Sequence, residues 1–189
     1  MRLLIMGPPG AGKGTQAKEI ARRLGIPTIS TGEIFRKNIA EGTPLGREAQ
    51  AYNDRGEYVP DDVTNRMVRG RLSEPDCAEG FLLDGYPRTP AQVEELDKIL
   101  ADGGIQLERV VVLTVEHDEL VRRLLRRAEE EGRTDDTDEV QRRRLQVYAE
   151  ETEPLLEVYA QRGLLVLVNG MGSVDEVTER VLTALAAEN

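Results

Sequence analysis

The segment Gly7-Pro8-Pro9-Gly10-Ala11-Gly12-Lys13-Gly14-Thr15 follows directly on the apolar run Leu3-Leu4-Ile5-Met6 and leads into an amphipathic stretch. Glycines there let the backbone curl so that successive N–H groups aim at one anion, where a Cβ would obstruct both the turn and the approach. A helix starting at Lys13 adds its positive end, and the Lys13 ammonium can reach outer phosphates. Strand, loop, lysine and helix in that order describe a polyphosphate cradle rather than an ordinary glycine-rich turn. The residue after Lys13 is Gly14, where a hydroxyl ligand to magnesium usually stands, so Thr15 is the alternative source of that oxygen.

A second set of chemistry-bearing residues lies in Phe81-Leu82-Leu83-Asp84-Gly85-Tyr86-Pro87-Arg88. A buried strand ending in an acid suits a carboxylate that anchors hydrated magnesium, and Arg88 then falls at the carboxyl edge of the sheet, where open α/β folds bind ligands. Gly32 and Arg36 mark another strand-to-helix junction able to hold an anion. Arg123 and Arg127 are four apart and share a helical face, while Arg133 and Arg144 flank the next turn and helix. Several mobile arginines can surround the charge that spreads over a transferring phosphoryl group. Arg122, Arg126, Arg142 and Arg143 stand beside them, so spacing alone does not select among these arginines.

The net charge of −10 over 189 residues argues against a general nucleic-acid or membrane-surface binder, because both need a basic face. Four lysines against twenty-one arginines make arginine the default cation of the surface. The lone Cys77 allows no internal disulfide and no cysteine-based zinc site, and reads as a small half-buried filler. With no run long enough to span a bilayer and no cleavage pattern at Met1-Arg2, the expected location is cytoplasmic. His117 is expected in a solvated turn before a helix, without a catalytic part.

To hold these residues together the chain needs a scaffold, and its pattern supplies one. Apolar runs at Leu3–Met6, Thr28–Ser30, Phe81–Leu83, Val110–Leu113 and Leu164–Val168 alternate with amphipathic stretches. Such near-continuous runs predict five parallel strands covered by helices on both faces. Helices are predicted at Lys13–Leu24, Thr31–Ala40, Asp61–Leu72, Ala91–Ala101, Asp118–Glu131, Asp138–Ala160 and Val174–Leu185. Two segments break the alternation. Gly42–Pro60 carries a helix-like Leu45–Asp54 without a strand partner, as in an insert, and the charged turn Glu129–Asp136 interrupts two helices.

Four motifs together give a family resemblance: the phosphate-loop segment, Ser30-Thr31-Gly32-Glu33, Phe81 to Thr89, and Gly132-Arg133-Thr134-Asp135-Asp136. From Met1 to the last helix the chain resembles the adenylate kinases. The resemblance implies the α/β P-loop nucleoside monophosphate kinase fold, a five-stranded parallel sheet with flanking helices, a small AMP-binding insert and a short lid. It implies a core of residues 1–29, 60–125 and 137–189, an insert over 30–59 and a lid over 126–136. An ATP site is implied at Gly10, Ala11, Gly12, Lys13, Gly14, Thr15, Arg123, Arg127 and the Gly172 backbone. An AMP site is implied at Thr31, Arg36, the Glu57-Tyr58-Val59 backbone, Gly85, Tyr86, Pro87, Arg88 and Gln92, with Arg133 and Arg144 closing on the phosphates. Asp84 is implied to organise the water shell of magnesium. The lid is similar to the short form of the family; the long form inserts a β-rich module that often carries zinc on cysteines, which Cys77 alone cannot provide. Glu33 and Asn169 depart from the acids common at their positions.

What the resemblance implies is a monomer that transfers a phosphoryl group from MgATP to AMP, giving ADP, with Lys13, Arg88, Arg123, Arg133 and Arg144 around the reacting phosphates. The attacking phosphate oxygen is already anionic, so no general base is required. A GTPase switch lacks support because no Asn-Lys-x-Asp segment occurs. UMP/CMP kinases of the same fold differ at the monophosphate site and carry asparagine after the Pro-Arg, where Thr89 stands here. A non-catalytic P-loop module would not need Lys13, Asp84, Arg88 and the lid arginines together; a coupled kinase assay separates the two.

Overall fold

The computed structural model describes residues 1–130, 132 and 137–187 of the chain. Its first unit is β1 (Arg2–Met6) followed, across the glycine-rich loop, by α1 (Lys13–Leu24). Ala17, Ile20 and Ala21 give α1 its buried face, and Gly25 ends it in the left-handed region at φ 67°. β2 (Thr28–Ser30) runs straight into α2 (Thr31–Glu41), whose N-terminus is capped when the Ser30 hydroxyl accepts the Glu33 N–H. Thr43 caps α3 (Pro44–Asp54) in the same way, with Pro44 at its first position.

α4 (Asp61–Leu72) leads through a short 3₁₀ turn at Pro75–Cys77 to β3 (Phe81–Asp84), so Asp84 is the last residue of its strand. Then follow α5 (Pro90–Asp102), β4 (Arg109–Thr114), α6 (His117–Glu130) and α7 (Asp138–Val147). Where one helix over Asp138–Ala160 is expected, the structure breaks it: α7 passes into a π-helical turn at Tyr148–Thr152, and α8 covers only Leu155–Gln161. Pro154 is the cause. It lacks an N–H for the Glu150 carbonyl, and its ring would collide with that carbonyl in a continuous α-helix. The Glu153 N–H bonds instead to the Tyr148 carbonyl at 2.9 Å, five residues back. β5 (Leu165–Asn169) and α9 (Val174–Ala187) complete the chain.

The five strands are all parallel, in the order β2-β3-β1-β4-β5. The chain thus leaves β1 on one side and returns to its other side, which opens a crevice at the carboxyl ends of β1 and β3. Registers Ile5↔Asp84 and Ser30↔Asp84 bring the ends of β1, β2 and β3 level there. One face of the sheet packs with α1, α6 and α9 through residues such as Ile20, Leu120 and Val181. The other packs with α4, α5 and α8 through Val68, Leu96 and Tyr159. Coverage on both faces holds for the central strands but fails at the edge, where Leu167 of β5 is 65% exposed. A third apolar cluster joins Ala49, Val59 and Val63 with Phe35, Ile39, Leu45 and Tyr52, and so ties α2 and α3 to the start of α4. Cys77, expected half-buried, is buried, and its thiol is pushed up to about 11 chiefly by desolvation. His117 is exposed at the first residue of α6.

Candidate active site

At the carboxyl ends of β1 and β3 lies a cleft of about 640 Å³. Its floor is the glycine-rich loop. Gly10 (φ 86°) and Gly12 (φ 91°) hold the left-handed backbone that curls it, and a Cβ on Gly10 would stand 2.9 Å from Leu124 Cγ and 3.0 Å from the Leu120 carbonyl. Gly12 caps α1 without any side-chain acceptor, so no side chain competes for the N–H groups of the first turn, which begins at Lys13. The loop closes on itself when the Ala11 N–H donates to the Pro8 carbonyl at 3.1 Å. Gly10, Ala11, Gly12, Lys13, Gly14 and Thr15 all line the cleft.

Lys13 donates from Nζ to the Pro8 carbonyl at 3.1 Å. Its ammonium is pulled down from 10.5 to about 8, first by desolvation between the cleft walls; the Asp84 charge opposes this, while Arg88 and Arg127 add to it. Asp84, 9% exposed at the end of β3, faces the start of α1: a Cβ on Gly14 would lie 3.7 Å from its Oδ2. A carboxylate and the Thr15 hydroxyl are hard oxygen donors, the kind that magnesium takes.

One wall comes from α6 and the loop before α9. Arg123 donates from Nε to Glu119 at 2.9 Å, from Nη1 to the Ala11 carbonyl at 3.3 Å and from Nη2 to the Gly170 carbonyl at 3.0 Å. It therefore staples α6 to both the phosphate loop and the segment after β5. Arg127 and Gly172 line the same wall. Asn169, the departure from an acid, keeps an acceptor role: its Oδ1 takes the Met171 N–H at 2.9 Å.

The opposite wall gathers residues far apart in sequence. The Thr31 hydroxyl donates to the Gly85 carbonyl at 2.9 Å, and a Cβ on Gly85 (φ 84°) would stand 2.6 Å from that hydroxyl and 2.8 Å from an Arg88 nitrogen. Arg36 folds back over Gly32, whose added Cβ would meet Nη1 at 2.9 Å. Gln92, 2% exposed, accepts the Arg88 N–H at 2.7 Å and donates to Asp61 at 2.9 Å. Each end of its amide keeps one unused position, which leaves Gln92 able to read a ligand edge. Tyr58 lies under the Arg88 guanidinium, 5.0 Å from ring centroid to carbon. Glu57, Val59, Gly85 and Pro87 also line this wall. Tyr86, expected among the binding residues, turns its ring into the core and donates its hydroxyl to Asn65 at 2.8 Å. Its side chain is buried in packing, while the residue still borders the cleft.

Arg144 reaches the cleft from α7, its Nη2 3.5 Å from both the backbone and side-chain oxygens of Asn53. Beside it Arg143 pairs with Glu57 at 2.7 Å, which holds the Glu57 carboxyl below its ordinary range. Arg133 lies outside the described residues, as does most of the charged turn. Among the residues that sequence reasoning did not single out, Glu119 and Thr152 also border the site. Glu119 was legible in retrospect, four positions ahead of Arg123 on one helical face; Thr152 carried no sequence signal.

A family model described as adenylate kinase matches residues 5–164. The adenylate kinase of Nocardioides sp. is 64% identical over 98% of this chain and 97% of its own length. That of Kocuria rhizophila is 63% identical over 97% and 98%, and that of Thermobifida fusca 54% over 98% of both.

Proposed function

Because the chain belongs to the adenylate kinase family, an ATP:AMP phosphotransferase family, we propose that its cleft divides into a donor half on the phosphate loop and an acceptor half on the opposite wall. MgATP occupies Gly10 to Thr15, with Arg123 and Arg127 along its phosphates and the Gly172 backbone against its adenine. AMP occupies the Thr31, Arg36, Arg88 and Gln92 wall, with its base beside the Glu57-Tyr58-Val59 backbone. The observation that carries this reading is that loop glycines, Lys13, Asp84 and both arginine sets line a single cleft although they come from six separate segments of the chain.

The chemistry asks for positioning rather than covalent help. An AMP phosphate oxygen attacks the γ-phosphorus of MgATP, the bond to the β-phosphate oxygen breaks, and two ADP result. Lys13 with Arg88, Arg123, Arg133 and Arg144 balances the charge that spreads over the equatorial oxygens. Asp84 would hold the water shell of the substrate's magnesium, with the Thr15 hydroxyl as the nearest second oxygen. No zinc enters this scheme. Residues 126–136 act as a short lid and 30–59 as the AMP insert, both closing over the phosphates to keep water from competing.

One chain supplies both halves, which supports a monomer, and a lone thiol supports a reducing, cytoplasmic setting. Among the described residues no helix is long and apolar enough to cross a membrane. The test is direct: purified protein with ADP and magnesium should form ATP and AMP in equal amounts, and CMP or UMP should be poor acceptors. Failure of the disproportionation would sink the reading.

A further inference from the structure

Thr152 takes no part in the scheme above, yet it is 4% exposed and both hydrogen-bonding capacities of its hydroxyl are engaged. Its Oγ1 donates to the Arg88 carbonyl at 2.9 Å and lies 2.6 Å from the Tyr58 hydroxyl. A threonine hydroxyl has one proton, and a carbonyl can only accept. The proton therefore goes to Arg88, and Tyr58 must be the donor to Thr152. The same Tyr58 carries the Arg88 guanidinium over its ring. Arg88 is thus held at three points: Thr152 at its carbonyl, Gln92 at its N–H and Tyr58 beneath its charge.

Thr152 reaches this position because it closes the π-helical turn of Tyr148–Thr152. A regular helix rotates each residue by about 100°, and a π-helical turn, with one residue more, shifts those that follow it. Such turns cost stability and gather at functional sites. Here the turn links three segments distant in sequence: the end of the insert at Tyr58, the loop after β3 at Arg88 and the helix that begins as α7.

We propose that Thr152 is a positioning residue for the AMP half of the cleft: its hydroxyl fixes the backbone of Arg88 and couples it to Tyr58, so that the guanidinium is already aimed when the monophosphate arrives. The proposal rests on the assignment of Arg88 to the AMP phosphate. Loss of one buried hydrogen bond, with its partners left wanting, corresponds to about a five- to tenfold loss of binding.

The test compares T152V, T152S, Y58F, R88A and R88A/T152V in steady-state kinetics with each substrate varied. T152V keeps the side-chain shape and removes the hydroxyl; it should raise the KM for AMP about five- to tenfold while the KM for ATP moves less than about twofold. T152S should restore the AMP value. Y58F, which removes only the donor at a half-buried position, should raise it about two- to threefold and keeps the test alive if T152V does not fold. If Thr152 acts through Arg88, R88A/T152V should be no worse for AMP than R88A. A purely structural threonine would instead lower the melting temperature and shift both substrates together. Equal changes for ATP and AMP, no change for either, or full additivity on R88A would overturn the proposal. R88A selective for AMP beside a silent T152V would overturn the proposal alone, whereas R88A with an unaltered AMP KM would overturn the acceptor assignment and the proposal with it.

Discussion

Lys13 Nζ donates to the carbonyl of Pro8, 3.1 Å away, so the cation of the phosphate loop is bonded to the loop it must serve. Burial desolvates the ammonium and pulls it down to about 8, with the charges of Arg88 and Arg127 adding to the fall and Asp84 opposing it. An arriving polyphosphate supplies the negative charge that restores the protonated form.

The pH dependence follows. In the free enzyme Lys13 loses its proton as pH rises through about 8, so kcat/KM for ATP should fall above that point. In the ternary complex the phosphates hold the proton, so kcat should stay flat to higher pH. ATP binding above pH 8 should take up a proton, measurable by calorimetry in buffers of different ionisation enthalpy. An unchanged kcat/KM across that window would contradict the assignment.

Lys13→Met should lower turnover by about a hundredfold or more, because a preorganised cation contributes on the order of 3 kcal/mol to the transition state. The fold should not suffer. A lysine whose folded pKa lies below its unfolded one opposes folding at neutral pH, and that opposition disappears only as pH rises from about 8 through 10.5. At pH 7 the variant should therefore melt no lower than the parent, as followed by circular dichroism.

Gly14→Ala separates packing from metal handling. The position is helical, its φ is ordinary, and an added Cβ makes only van der Waals contact, 3.7 Å from Asp84 Oδ2. Stability should rise by about 0.5–1 kcal/mol, as expected for glycine replaced within a helix. The methyl group narrows the space in front of the Asp84 carboxylate, so more magnesium should be needed for half-maximal activity. A magnesium titration that matches the parent would remove Asp84 from the metal's water shell.

The two halves of the cleft should answer to different arginines. Arg88→Ala should chiefly raise the KM for AMP, and Arg127→Ala should chiefly damage ATP use and turnover. Two adenosines joined by five phosphates should bind far more tightly than ATP or AMP alone, because one molecule fills both halves with a single loss of translational freedom. Calorimetry showing no gain for the joined ligand would argue for a single nucleotide site.

Activity should require magnesium and survive zinc-selective chelators, since the chain has one cysteine and it is buried. Stoichiometric zinc in protein purified without added metal, with unfolding on its removal, would overturn this.

Much of this protein was determined by local sequence. The phosphate loop is legible because its chemistry is carried by glycines and one lysine whose backbone demands are local; Gly10 and Gly12 adopt the left-handed conformations such a loop needs. Five parallel strands follow from continuous apolar runs, since a strand covered on both faces cannot alternate. Those patterns say nothing of which strand lies beside which. Only the tertiary order β2-β3-β1-β4-β5 sets Asp84 level with Ile5 and so brings the acid to the phosphate loop. Packing likewise chose among the arginines: Arg123 is pinned to Ala11 and Gly170, and Arg88 is fastened by Gln92, Tyr58 and Thr152, whereas Arg122 remains exposed on the same helix as Arg123. The break at Tyr148–Thr152 shows the same division. Pro154 announced that a helix could not continue, but a proline states only which hydrogen bond is missing. Where Thr152 then points depends on the carbonyl of Arg88 and the hydroxyl of Tyr58, which the chain brings there from 64 and 94 residues away.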